Sequence, residues 1–172
     1  MINLLAKLLR VLNSETDPGQ LSLGLCFAMV AGLTPLLSLH NLFVLLLVLV
    51  LRVNLSAFLL GLTAFTGIAY LMDPLFHWLG LALLTASGLE GLWTTLYQIT
   101  WWRIERFNNT IVMGSLAFSL ALFIPIFFLA NVVIRRYRQH ILAWVQNTRL
   151  MQMFKASKLY GAYQSLSAWR EV

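Results

Sequence analysis

The strongest constraint on this chain is one apolar run, Gln20 to Leu51, interrupted once at Gly32-Leu33-Thr34-Pro35. About 20 apolar residues already cross a bilayer as a helix, and this run is half as long again. Pro35 offers no N–H and clashes with the preceding helical turn, so the helix cannot pass it unchanged. Two geometries are open: one long bent span, or a helical hairpin that enters the membrane, turns near Pro35 and returns. Each arm of a hairpin holds about 14 to 16 residues, too few to cross alone. Lys7 and Arg10 precede the first arm and Arg52 follows the second, so a hairpin keeps all three cations on one face. That economy favours the hairpin.

Composition fixes the solvent. Of 172 residues, 60% are hydrophobic and 10% charged, and the mean hydropathy is +0.80. A soluble domain of this size cannot bury so much apolar surface. The expected class is all-α: a polytopic integral membrane protein with proline-broken or re-entrant hairpins and amphipathic interfacial helices at both ends. The net charge of +6 fits cytoplasmic ends that face anionic lipid. The basic residues cap apolar segments and form no stripe, which argues against nucleic acid. Cys26 is the only cysteine, so no intramolecular disulfide forms, and it reads as a small core residue. Lys7 and Arg10 interrupt the N-terminal apolar residues, and no small-residue cleavage site follows, so a signal peptide is not expected.

Along the chain, residues 1–14 read as an amphipathic helix. Leu5, Leu8, Leu9 and Leu12 share one face, and Lys7 and Arg10 point to headgroups. Residues 18–134 form the membrane domain. Asp17 caps its first helix, with Pro18 in the first turn. Gly24, Ala28 and Gly32 recur every fourth residue and make a smooth face for internal helix packing or for a partner. Ser38, His40 and Asn41 follow the break, where freed backbone groups need partners; His40 reads first as a hydrogen-bonding strut rather than a proton carrier. Arg52 can snorkel to headgroups, and Asn54 closes one helix and starts the next.

The run from Leu55 to Leu71 meets Asp73-Pro74, and the expected result is a second break at Pro74, with an arm from Leu75 through Leu84. Asp73, His77 and Glu90 are ionisable residues near the membrane, candidates for function by default and for caps or interface positions otherwise. Trp93, Tyr97, Trp101, Trp102 and Phe107 form an aromatic belt at headgroup level. Asn108-Asn109-Thr110 opens the clearest span, Thr110 to Ile134, in which Gly114, Ser115 and Ser119 offer a small face and Pro125 marks a kink. Arg135, Arg136 and Arg138 stop it and set its cytoplasmic end. Residues 135–172 read as a basic amphipathic tail on the cytoplasmic surface. No metal-ligand, nucleophile or phosphate-loop pattern is present.

Pro18, the Gly24-Leu25-Cys26-Phe27-Ala28 segment, Gly32, Pro35-Leu36, and Leu51-Arg52-Val53-Asn54 with Gly61 carry a resemblance. They resemble an uncharacterised bacterial membrane family, domain of unknown function number two thousand and sixty-two. Within it, they resemble a small subfamily from bacteria with outer membranes. The likeness covers roughly Pro18 to Gly80. It departs where the broader family often has an Asn-Pro pair and this chain has Thr66-Gly67. The family has no established chemistry, so no catalytic residue is carried over. The subfamily is typically encoded beside a much larger envelope protein with one membrane anchor and a long periplasmic part. That partner is similar to the AsmA-type bridges proposed to carry phospholipid between membranes.

By that resemblance, the expected function is the inner-membrane foot of a periplasm-spanning lipid bridge. Its partners would be membrane phospholipid and an AsmA-like protein, with a homo-oligomer also open. It would be no enzyme, would hold no cofactor, and would have both termini in the cytoplasm. Two alternatives come from other classes. A small-solute or ion transporter would use Arg52, Asp73, His77 and Glu90 around broken helices. A non-catalytic scaffold would depend on the amphipathic ends.

Overall fold

The computed structural model describes residues 16–142, with side chains to Gln139. Every regular element among them is helical. Helix α1 spans Pro18–Leu33, α2 Leu39–Val50 and α3 Leu55–Leu84. A 3₁₀ turn at Ser87–Leu89 leads to α4, Glu90–Gln98, and α5, Thr100–Ile104. Helix α6, Thr110–Arg136, runs into a π-helical turn at Tyr137–Leu142. The expected N-terminal helix with Lys7 and Arg10, and the tail beyond residue 142, lie outside the described residues. The chain divides into two compact units, Met1–Val132 and Val133–Val172. The described part of the second is the last turn of α6, with Arg135 and Arg136, and the π-helical turn that carries Arg138.

The long apolar run folds as a hairpin of two helices. Asp17 starts α1, its Oδ2 accepting from the Gln20 N–H at 3.2 Å, with Pro18 at the first helical position. The helix stops at Thr34, which is extended, and residues 35–38 turn the chain. Helix α2 then returns so completely that the Asn54 N–H donates to the Gln20 carbonyl at 3.3 Å. The Asn54 side chain donates to Thr16 Oγ1 at 3.2 Å, and its Oδ1 caps α3 by accepting from the Ala57 N–H at 2.8 Å. A single bent span cannot bring Asn54 back beside Gln20, so that geometry is ruled out.

Helix α1 is the centre of the unit, with most of its residues buried. It lies parallel to α3 along the small-residue face. A methyl group at Gly24 would stand 2.9 Å from the Asn54 carbonyl oxygen and 3.3 Å from Ala57 Cβ. One at Gly61 would stand 2.8 Å from Ala28 Cβ, and one at Gly32 2.7 Å from Phe65 Cβ. The contacts step together, every fourth residue on both helices, which is close packing of small residues along matching ridges. The stripe Gly24, Ala28, Gly32 is therefore spent on internal packing and is not free for a partner.

Helix α3 corrects the second expectation. Pro74 does not break it: the helix runs 30 residues with Pro74 inside, and Asp73 is mid-helix rather than a cap. Pro125 likewise lies within α6. Proline removes only one backbone bond, and a chain flanked by long apolar arms has few other partners for its amides than the helix itself. No second hairpin forms, so the repeated pattern of broken arms is absent.

Helix α6 returns across α3 at an unusually close crossing. A methyl at Gly114 would stand 1.9 Å from the Phe76 carbonyl oxygen, and one at Gly80 1.8 Å from that of Thr110. Ser115 and Ser119 complete the small face expected there; both are fully buried and bond back to their own helix, Ser115 Oγ to the Ile111 carbonyl at 2.6 Å. Beyond the crossing, Phe118 meets Phe76 at 5.6 Å between ring centres, and Phe123 meets Phe27 at 5.3 Å. Cys26 is buried, its thiol directed at the Phe123 carbonyl at 3.5 Å.

The outer surfaces are apolar. Only 17% of the most apolar stretch of α3, and 11% of that of α6 with its continuation to Gln139, is buried within the protein. Both helices are long and apolar enough to cross a membrane. On α2, Leu42, Phe43, Leu45, Leu46, Leu49 and Val50 are all exposed, and at the hairpin tip Leu37 is completely so.

Candidate functional site: a histidine–carboxylate pair in an apolar groove

Site construction starts at the turn of the hairpin. Its freed backbone carbonyls are tied by the side chains of Asn41 and Thr34, whereas those of Ser38 and His40 meet each other and Glu105. Asn41 is buried, and its Nδ2 donates to the Ala31 carbonyl at 3.2 Å and the Pro35 carbonyl at 3.0 Å. The Thr34 hydroxyl donates to the Val30 carbonyl at 2.8 Å and lies 3.3 Å from Asn41 Oδ1. This knot holds α1 and α2 together across an extended linker whose own residues, Pro35, Leu36 and Leu37, face outward.

His40 begins α2 beside the knot and meets Glu105. The His40 N–H donates to Glu105 Oε2 at 3.0 Å, and the ring Nδ1 pairs with Oε1. An ionised carboxylate only accepts, which puts the shared proton on Nδ1. The ring Nε2 lies 3.1 Å from Ser38 Oγ. Glu105 is 7% exposed and the His40 side chain 14%. Taking both groups from water is costly, and such a pair contributes little net stability. A carboxylate and an imidazole paired on an apolar wall make this the candidate site.

Glu105 comes from the aromatic segment. Trp93, Tyr97 and Trp102 gather around buried Phe107, each ring centre 6.1 to 6.4 Å away. The Trp93 indole donates to the Leu83 carbonyl at 3.0 Å. After α5 the chain reverses at Arg106, whose φ of 56° is left-handed. That costs a non-glycine residue about 1–2 kcal/mol. The reversal separates Glu105, turned inward, from Asn109, whose Oδ1 accepts from the Ile111 N–H at 2.9 Å and starts α6.

Between α2, α6 and the aromatic segment lies a groove of about 1140 Å³. Leu42, Phe43 and Leu46 form one wall, Leu116, Leu120 and Phe123 the other, and Trp101 and Trp102 an edge. Among the described residues, its only ionisable side chains are His40 and Glu105. The volume exceeds the roughly 300–1,000 Å³ of ordinary small-molecule sites.

The other candidates do not converge. His77 turns Nδ1 to Thr110 Oγ1 at 2.7 Å rather than to Asp73, one turn away. Glu90 is exposed at the start of α4, and Arg52 is exposed at the base of the hairpin. Among the described residues no three His, Cys, Asp or Glu side chains gather as a metal site. Glu105 escaped the sequence reading because it sits between Arg103 and Arg106 and looks like a local surface charge. The one available signal was a carboxylate inside an aromatic belt.

The fold is thus an all-helical hairpin clasped by two long apolar helices. The chain belongs to the family DUF2062, described as an uncharacterized protein conserved in bacteria, which matches residues 4–142. It is also similar to an uncharacterized protein of Treponema pallidum (strain Nichols), 25% identical over 159 residues that cover 92% of this chain and 98% of that one. No solved structure matches it.

Proposed function

We propose that this is a multi-pass inner-membrane protein whose groove accepts phospholipid tails, serving as the membrane foot of lipid transport across the envelope. The observation that carries the reading is the groove: large, apolar, bounded by outward-facing leucines of α2, and ionisable, among the described residues, only at His40 and Glu105. A groove that opens on an apolar lateral surface is filled from the bilayer, and what the bilayer supplies is acyl chain. Helices α3 and α6 are the spans. The 16 residues of α1 reach about 24 Å, short of the roughly 30 Å hydrocarbon core. With Arg52 at cytoplasmic headgroups, the hairpin is re-entrant and its turn stops several ångströms below the opposite headgroup layer. Basic residues at Arg135, Arg136 and Arg138 support a cytoplasmic end for α6 by the positive-inside rule, and cytoplasmic termini with it.

The large AsmA-like partner follows from the family resemblance alone. Since the Gly24, Ala28, Gly32 face is occupied by α3, that partner would dock on the exposed apolar faces of α3 or α6. The test is purification of the tagged protein in gentle detergent, with mass spectrometry of retained proteins and lipids. A stoichiometric periplasmic partner and retained phospholipid are expected. A lone protein that holds no lipid contradicts the proposal.

A further inference from the structure

We infer that the His40–Glu105 pair is the headgroup subsite of the groove, and that it selects a zwitterionic phospholipid bearing phosphate and ammonium. The inference rests on the reading of the groove as a site for lipid tails. A lipid whose tails lie along α2 carries its headgroup to wherever the wall turns polar. Among the described residues, the wall is ionisable only at His40 and Glu105.

The chemistry of the pair matches such a headgroup term by term. Glu105 is a buried acceptor with both oxygens engaged by His40, one by the ring and one by the backbone N–H. His40 also reaches Ser38 Oγ through Nε2. A zwitterion can exchange with the internal pair, its ammonium going to the Glu105 carboxylate and its phosphate to the His40 ring N–H and the Ser38 hydroxyl. Each buried polar group then trades one partner for another, and none is left unpaired in an apolar wall. An anionic headgroup without an ammonium gives His40 a partner but strands Glu105, and a stranded buried charge is strongly disfavoured. Trp101 and Trp102 edge the groove near this point, and indoles favour the headgroup layer. The subsite therefore draws a lipid from the leaflet opposite the base of the hairpin.

The test uses the full chain in mild detergent at about 0.3 M salt, where attraction of anionic lipid to exposed cations is screened. Equimolar phosphatidylethanolamine and phosphatidylglycerol with identical tails are added, and retained lipid is counted by native mass spectrometry. Wild type is expected to retain the ethanolamine lipid about tenfold over the glycerol lipid. Glu105→Gln is expected to bring that ratio near one. Equal retention by wild type overturns the subsite and leaves the tail groove standing, and it needs no variant to be read. A preference unchanged in Glu105→Gln overturns it as well. Retention of neither lipid overturns the groove itself.

Discussion

The crossing of α3 and α6 makes a sharp prediction about two glycines. In Gly114→Ala the new methyl would stand 1.9 Å from the Phe76 carbonyl oxygen, 2.7 Å from its carbon and 2.9 Å from Gly80 N. All three are backbone atoms, so no side chain can swing aside. An ordinary carbon–oxygen contact is about 3.3 Å, and the helices must separate by roughly 1.4 Å along that direction. Separation loosens Phe76, which is fully buried, from Phe118. Overpacking costs typically about 1–3 kcal/mol, and a backbone clash of this depth belongs at or above the upper end. Gly67→Ala is the control, because nothing lies within 4 Å of its new methyl. There the helix gains about 1 kcal/mol from replacing glycine. Unfolding in mixed micelles, followed by circular dichroism, measures both. Gly114→Ala is expected to lose about 3 kcal/mol and Gly67→Ala to hold or gain. Equal stabilities for the two variants would refute the close crossing.

Other outcomes follow from the same contacts. Asn41→Ala removes the ties to the Ala31 and Pro35 carbonyls and is expected to cost about 2–4 kcal/mol in the same unfolding assay. Pro74→Ala restores a backbone bond within a continuous helix, so stability is expected to rise, by up to about 3 kcal/mol; a fall would mean that the proline itself is needed. Leu46→Trp, at an exposed position on the groove wall, is expected to lower retained lipid at least severalfold with unchanged unfolding; native mass spectrometry reads the first and circular dichroism the second.

Much of the hairpin was legible in the sequence because its signals are local. Asp17-Pro18, Asn54 and Asn109 cap the helices they precede, and Gly32 to Pro35 marks the turn. Pro74 misled because the rule that proline ends a helix assumes other partners for the backbone, and two long apolar arms supply few. Gly80 and Gly114 were each visible, but their pairing depends on how α6 crosses α3. The His40–Glu105 pair joins residues 65 positions apart, which no local spacing encodes. The groove is harder still to read, since its leucines look like any lipid-facing stretch until α6 and the aromatic segment close around them.

The central claim, a hairpin that enters the bilayer and returns to the same side, is tested most directly by cysteine accessibility. In a Cys26→Ser background, single cysteines replace Thr16, Leu37 and Arg52, and a membrane-impermeant maleimide is applied to intact spheroplasts and to inverted vesicles. Thr16→Cys and Arg52→Cys are expected to label only in inverted vesicles. Leu37→Cys, at the fully exposed tip, is expected to label in neither, because lipid covers it. Rapid labelling of Leu37→Cys from either side would contradict a turn buried in the membrane.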